Sequence, residues 1–481
     1  MMIKAGAKRY ARSIQVASCS HDPPYVRKCC AHLLAEPDIP ERVRLFTGSG
    51  AEYDWRCPAC ADIGAPPLVE TCAACDRKIR PGVGDRAPYR GRPAIQERPT
   101  QLRFDHRDVS FNPPLPDLVG LVPVESEPET WLELSQSGQL ARIDFSSHRW
   151  QPILTLERTV EGAMFGEDGY PEAIATQVPL ADTAANQLPS SRLTGVPASQ
   201  RLVIRDRATR LPCLLVASAA GRYLAVCNRW GERGIVLDLG TGRPCLELKR
   251  NYHAEQSDFP VAFAESSLGP LLIHGTAWNR LDVIQMHTLK LLTERETPAY
   301  NKGGPSPHYL DYFHGGLSVS PGGNWILDNG WVWHPVGVVA TWQLTSWIDG
   351  NVWESEDGPS KRSLCHRDYL WDAPCAWIDE QTVAVWGFGD DDEWMLDAAR
   401  IFDVRSGEEI RWFPGPAGNL VFDRYLFSFG ESLGTAVWDV QTGERLLKDE
   451  ETRPIAYHPT GHSFLSAVEG GFRVSRLVGT T

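Results

Sequence analysis

The chain has 481 residues, 42% of them hydrophobic, and a formal net charge of −13. That length suits two or three domains, or one large repeat fold with an appendage, and no apolar run approaches the ~20 residues of a membrane helix. The charge is divided: residues 1–100 hold 16 Lys/Arg against 11 Asp/Glu and the rest 32 against 50, so the larger part lacks a basic nucleic-acid footprint.

The first segment, MMIKAGAKRYARSIQVASC, carries four Lys or Arg in its first 12 positions. Val16-Ala17-Ser18-Cys19 superficially matches a lipoprotein cleavage box, but no uninterrupted apolar segment precedes it, so export is not expected. The expected location is the cytoplasm. Disulfides are rare there, so the seven cysteines among the first 75 residues read first as metal ligands. CSHDPPYVRKCCAHLL offers Cys19, His21, Cys29, Cys30 and His32 as a second metal set; the plainer alternative is a short helix near 24–36 with incidental thiols.

DWRCPACADIGAPPLVETCAACDRK holds Cys57-x2-Cys60, eleven residues, then Cys72-x2-Cys75. Two such pairs on knuckle turns place four thiolates around a tetrahedral Zn²⁺ at about 2.3 Å each. A four-cysteine site is closed, so the zinc expected here is structural, one per chain. An Fe–S centre or a redox dithiol is the alternative, but Cys-Pro-Ala-Cys is not followed by the helical pattern that would lower a thiol pKa. The segment resembles zinc ribbons and related zinc knuckles. Arg56, Arg77, Lys78 and Arg80 surround the cysteines, which makes nucleic-acid binding by the head a competing reading. Residues 1–100 are therefore expected to form a small zinc-binding domain.

From 101 onward the pattern changes. Short β-rich runs alternate with Gly/Pro turns, and 3.6-residue periodicity is almost absent, which argues all-β. A phrase recurs: ARIDFSSHRWQPIL (141–154), GIVLDLGTGRPCLEL (234–248), ARIFDVRSGEEIRWF (399–413) and GTAVWDVQTGERLL (434–447). Aligned on Asp144, Asp238, Gln285, Gln343, Asp403, Asp439 and Ser475, the units are spaced by 94, 47, 58, 60, 36 and 36 residues. One blade of a propeller takes about 40 residues, so most gaps are a blade plus a loop. The longest gap implies an insertion near 156–212, rich in Pro, Ser and Ala.

These units resemble the WD-repeat β-propeller class over roughly 115–481. Trp-Asp stands intact at Trp438-Asp439, with Leu237-Asp238 and Phe402-Asp403 as variants; the Gly-His dipeptide and the Asp-His-Ser-Trp hydrogen-bonding set are not visible. The resemblance implies an all-β, about seven-bladed propeller over 101–481, six or eight blades being the alternatives. The last unit ends soon after its third strand. A strand near QLRFDHRDVSF (101–111) is expected to supply its missing outer strand and close the ring. The scattered cysteines, Cys213, Cys227, Cys245, Cys365 and Cys375, sit mostly in apolar runs and read as small buried hydrophobes.

Ten of the 17 tryptophans fall between Trp325 and Trp394, which singles out this stretch as a candidate rim site. DNGWVWHPVGVVATWQLTSW puts Trp331 and Trp333 on one strand face, with His334 next, and PSPHYLDYFHGG adds His308, Tyr309, Asp311, Tyr312 and His314. Trp is enriched in binding hot spots, although Trp also fills gaps between blades. In GFGDDDEWMLD, Asp390, Asp391, Asp392 and Glu393 form an acidic loop suited to a basic contact; it lacks the spaced ligands of a Ca²⁺ loop. Gly430-Glu431-Ser432-Leu433-Gly434 fits the hydrolase elbow by spelling only, because a strand follows where a helix is needed.

The reading is a non-enzymatic, cytoplasmic scaffold or sensor subunit that binds protein partners, with no membrane association. The alternatives are nucleic-acid binding through the head, or an enzyme using His308, His314, His334 or Asp328 on the aromatic face.

Overall fold

The computed structural model describes residues 44–47, 51–54, 94–111, 118–156, 211–301, 304–333, 335–389 and 395–480. Contacts divide the chain into two units, Met1–Ala94 and Ile95–Thr481. In the first, Arg44–Thr47 pairs antiparallel with Ala51–Asp54. Cys57, Cys60, Cys72 and Cys75 lie outside the described residues, as do Cys19, His21, Cys29, Cys30 and His32 and most of the stretch 156–212.

The second unit is a seven-bladed β-propeller built of seven antiparallel four-stranded sheets. Blades I to VI span 118–155, 213–249, 261–291, 313–368, 375–414 and 419–449, and blade VII spans 456–478. The first strand of each blade is innermost, and those of blades I and II, II and III, III and IV, V and VI, and VII and I touch. Blade IV carries two short helices, Leu344–Asp349 and Glu354–Asp357, between its third and fourth strands. They account for the long step from Gln343 to Asp403. Among the described residues no helix is long and apolar enough to cross a membrane.

The hydrophobic core is distributed. Among the described residues there are seven buried clusters, and each is shared by two neighbouring blades. Leu132, Leu134 and Leu140 of blade I, for example, pack on Leu215, Leu224 and Val226 of blade II. A single blade is too thin to bury its own faces and needs both neighbours. The middle strands of each blade are thus covered on both sides, which is why Gly434–Trp438, the third strand of blade VI, is buried at every position and why such strands read as apolar runs. Trp131, Trp342, Trp386 and Trp438 fill these gaps between blades. Cys213, Cys227 and Cys365 are buried, Cys245 and Cys375 partly so; burial pushes the Cys213 thiol up to about 12.

The recurring Asp has a local cause. Asp144, Asp238, Asp403 and Asp439 each end the third strand or directly follow it and accept backbone N–H groups of the next turn. The carboxylate thereby builds an Asx-type turn that reverses the chain into the fourth strand. Burial alone would raise the Asp144 pKa, but hydrogen bonds from Ser146 and Ser147 bring it to about 2. Ser475 breaks the pattern: it lies inside the strand Gly471–Val478, fully buried and hydrogen-bonded to His106 Nδ1 at 2.9 Å. In blade VI the Trp438 indole N–H donates to Ser428 Oγ at 2.9 Å, a pairing not evident from the sequence. Ser432 sits in the hairpin between Leu426–Gly430 and Gly434–Trp438.

Ring closure uses the strand expected near 101–111. Arg103–Ser110 pairs antiparallel with Gly471–Val478 along its whole length and becomes the outer strand of blade VII. Just before it, the chain runs along the edge of blade VI: Arg445 N–H donates to Gln96 O at 2.8 Å and Arg98 N–H donates to Arg445 O at 3.0 Å. The Thr100 hydroxyl donates to Leu446 O at 2.9 Å. Leu102 and Phe104 then enter the cluster shared by blades VI and VII.

Candidate functional site

In an up-and-down blade, the turns between second and third strands open on the same face as the connections from one blade to the next. The Asp-centred turns open on the opposite face. Four segments of the first kind meet over blades II to V. They are the II–III connection, the second turn of blade III, the strand ends around the second turn of blade IV, and the IV–V connection.

The II–III connection is organised by Arg250, whose residue is 3% exposed. Its guanidinium donates to Gly231 O at 2.9 Å, Asp258 O at 3.0 Å, Ala254 O at 2.5 Å and Ser257 O at 2.7 Å. Burial lowers its pKa to about 10, against the pull of Asp258 and Asp372. Wrapped around this cation, Tyr252 and His253 take left-handed backbone angles, φ 45° and 58°. Such angles cost a side-chain-bearing residue about 1–2 kcal/mol each, so the surrounding hydrogen bonds must impose them.

The result is an aromatic surface. Phe313 stacks on Trp331 with centroids 4.0 Å apart and planes 10° apart, and Trp331 stacks on Trp371 at 5.5 Å. Trp278 leans on Phe313 at 4.5 Å, and Tyr252 stacks beyond Phe313 at 6.0 Å. His253 stands edge-on to Trp333 at 5.0 Å. Phe313 and Trp331 are buried, whereas Tyr252 is 53% and Trp333 44% exposed. Trp371 is tied to the II–III connection by its indole N–H, which donates to Gln256 O at 2.7 Å. Buried rings thus form the floor, and Tyr252 and Trp333 stand at the surface.

Beneath this surface lies a polar pair. His314 Nδ1 meets Asp328 Oδ2 at 2.5 Å, and the Gly315 N–H donates to Asp328 Oδ1 at 3.0 Å. Tyr312 OH accepts from Gly330 N at 2.9 Å and donates to Val338 O at 3.1 Å. Burial first, then Asp328, drives its pKa well above the usual tyrosine value. Lys361 Nζ lies over the Tyr312 ring and donates to Ser355 O and Glu356 O; burial lowers its pKa.

His314 lines a shallow cleft with Arg250, Tyr252, His253, Trp278 and Phe313, with a volume of about 10 Å³, room for roughly one water molecule. Small-molecule sites usually offer roughly 300–1,000 Å³. With Nδ1 committed to Asp328, only Nε2 of His314 is left to act in the cleft. Among the described residues no serine, threonine or cysteine side chain is hydrogen-bonded to that ring. The arrangement can stack, donate weakly and position; it lacks a nucleophile held by its base.

The residues singled out by sequence part company. His314, Trp331 and Trp333 belong to this surface. His308 and Tyr309 do not: His308 Nδ1 lies 2.8 Å from Asp357 Oδ1 and its ring stacks on Trp353 at 4.5 Å, while Tyr309 meets Tyr300 at 5.5 Å. Asp311 is exposed between the two groups. His334, Asp390, Asp391, Asp392 and Glu393 lie outside the described residues; the four acidic residues occupy the chain between the second and third strands of blade V. Sequence reasoning missed Arg250, Tyr252, His253, Trp278, Phe313 and Trp371. The one available signal was the polar-aromatic string Asn251-Tyr252-His253 directly after an outer strand.

No protein-family model matches the chain, and no curated protein matches it.

Proposed function

We propose that this chain is a non-enzymatic protein-docking scaffold or sensor subunit of the cytoplasm, built on a WD-repeat-like propeller, with the aromatic surface over blades II to V as its docking face. The observation that carries the reading is the pairing of exposed Tyr252 and Trp333 with a buried floor of stacked rings. Rigid aromatic anchors at the centre of a patch are the usual source of interface energy. The strained Tyr252-His253 turn is already held by Arg250, so little ordering cost remains at binding. WD-repeat-like kinship is supported by the Asp-centred turns and the Ser428–Trp438 bond. In the head, Cys57, Cys60, Cys72 and Cys75 are assigned one structural Zn²⁺.

Affinity capture from the native host tests the docking face, with tagged full-length protein beside its Tyr252→Ala/Trp333→Ala variant. A partner recovered by the first and lost by the second supports the reading; the same partners on both remove this face from it.

A second reading has one observation in its favour, the His314–Asp328 pair at the wall of the cleft. It makes the face an acid–base site for a small ligand. The size of the cleft and the missing nucleophile place it second.

A further inference from the structure

The aromatic face is more selective than its rings alone suggest, because its surroundings lean acidic. We propose that its occupant is an extended, lysine- or arginine-bearing peptide segment of a partner protein. This rests on the docking reading above and adds the chemistry of the partner.

Most cations around the face are committed or buried; Lys249, at the end of blade II's outer strand, is exposed, and Arg367 is fully buried and donates to Trp386 O at 2.9 Å. Arg250 is buried among carbonyls. Arg229 pairs with Asp258 at 2.9 Å, and Arg280 pairs with Asp282 at 2.9 Å. Lys361 is spent on Ser355 O and Glu356 O. Carboxylates, in contrast, reach solvent at the margins. Glu255 is exposed, with Oε1 held by Gln256 Nε2 at 3.0 Å and 3.5 Å from His253 Nδ1. Asp311 is exposed beside the turn that carries Trp278, since Asn279 Nδ2 donates to Leu310 O at 2.8 Å. The chain from 101 onward holds 32 Lys/Arg against 50 Asp/Glu, so the background field has the same sign.

Ring faces flanked by carboxylates suit a cation. An ammonium or guanidinium gains from the ring quadrupole, its aliphatic stem covers the ring, and a nearby carboxylate completes its hydrogen bonds. A nucleic acid would also stack on such rings, but its phosphates would meet the exposed carboxylates Glu255 and Asp311, with Lys249 alone to offset them. The form of the occupant follows from reach. His253 bridges the two exposed rings, 4.3 Å from Tyr252 and 5.0 Å from Trp333. The exposed pair therefore spans at most about 9 Å, the length of about three extended residues. That exceeds one small cation, and the cleft beneath is too small to enclose one with its chain.

The test is calorimetric titration of the full-length protein with three ten-residue peptides, alternating Lys-Pro, Gln-Pro and Glu-Pro. The proline keeps each extended. The titration is repeated on Trp333→Ala, Tyr252→Ala and Glu255→Gln. The expected result is binding of the Lys-Pro peptide alone, weakened tenfold or more by either aromatic substitution and a few-fold by Glu255→Gln. Equal binding to wild type and to both aromatic variants means diffuse attraction to an acidic protein, and overturns the proposal. Trp333-dependent binding of the Gln-Pro or Glu-Pro peptide keeps the docking face but overturns the basic occupant. No binding of any peptide at low salt overturns the proposal, while the capture experiment above still decides the docking reading.

Discussion

Arg473 and Asp108 lie opposite each other across the seam of the propeller, 365 positions apart in the chain, joined by two hydrogen bonds. Nε donates to Oδ1 at 2.7 Å and the terminal nitrogen donates to Oδ2 at 2.9 Å. The Arg473 hydrogen bond holds the Asp108 carboxyl below its usual pKa. The pair marks the register of the closing strand and is exposed, so it adds little by itself. The strand it marks buries Phe104 and Val109. Deleting residues 95–110 is expected to lower the melting temperature sharply and produce oligomers through the open edge of Gly471–Val478. Asp108→Asn is expected to melt near wild type. Size-exclusion chromatography and thermal unfolding measure both, and a monomeric, stable deletion would contradict ring closure.

Acid should weaken the fold through two histidines. His458 is fully buried; its Nδ1 accepts the Gly461 N–H at 3.1 Å and its Nε2 donates to Thr130 O at 3.2 Å, which requires a neutral ring. His274 is also buried, and burial lowers both pKa values from 6.5. Below the ordinary value the unfolded chain takes up protons that the folded chain refuses. Stability present above about 6.5 is therefore lost as pH falls through and below that value. Thermal unfolding from pH 7.5 to 5 should show a falling midpoint, with a shallower slope for His458→Asn. An unchanged slope would mean that His458 does not carry the effect.

Arg250→Met keeps length and apolar bulk but removes the donors to Gly231, Ala254, Ser257 and Asp258. The loss of donors to buried carbonyls is expected to cost about 3 kcal/mol. The near-UV circular dichroism of the tryptophans should change as Tyr252 and His253 relax from their left-handed angles. A variant with wild-type stability and an unaltered aromatic spectrum would show that the connection holds its shape without Arg250.

Metal analysis of the purified full-length protein is expected to give one zinc per chain, none in Cys57→Ser/Cys60→Ser, and no effect of that variant on propeller unfolding. Iron, or zinc retained by the variant, would reassign the four thiols.

The architecture was legible where physics repeats itself. Asp144, Asp238, Asp403 and Asp439 solve the same turn problem, so the alignment built on them tracks the blades. The strand at 101–111 was legible because a last blade one strand short leaves an edge. Ser475 was placed at a strand end and lies inside one, because the partner strand Arg103–Ser110 lets Gly471–Val478 continue past it. The site was half legible. Trp331 and Trp333 announced themselves by density, but Tyr252, Trp278 and Trp371 come from two different connections and a turn, and no local pattern links them. His308 was grouped with His314 by proximity in sequence; six residues of connection were enough to send it to Trp353 and Asp357.

The seam also sets a timetable. During synthesis the strand Arg103–Ser110 emerges long before its partner Gly471–Val478. Until that partner appears, the early strand carries an unsatisfied row of backbone donors and acceptors. Blades I to VI can stack as they appear, each upon the one before, but every such intermediate has two uncovered ends. The circle becomes a cooperative unit only at the final blade, when two ends of a long loop must find each other. A ribosome stall between blade VI and Gly471 would thus leave a nearly complete ring that is still open, and exposed to other chains in the same condition.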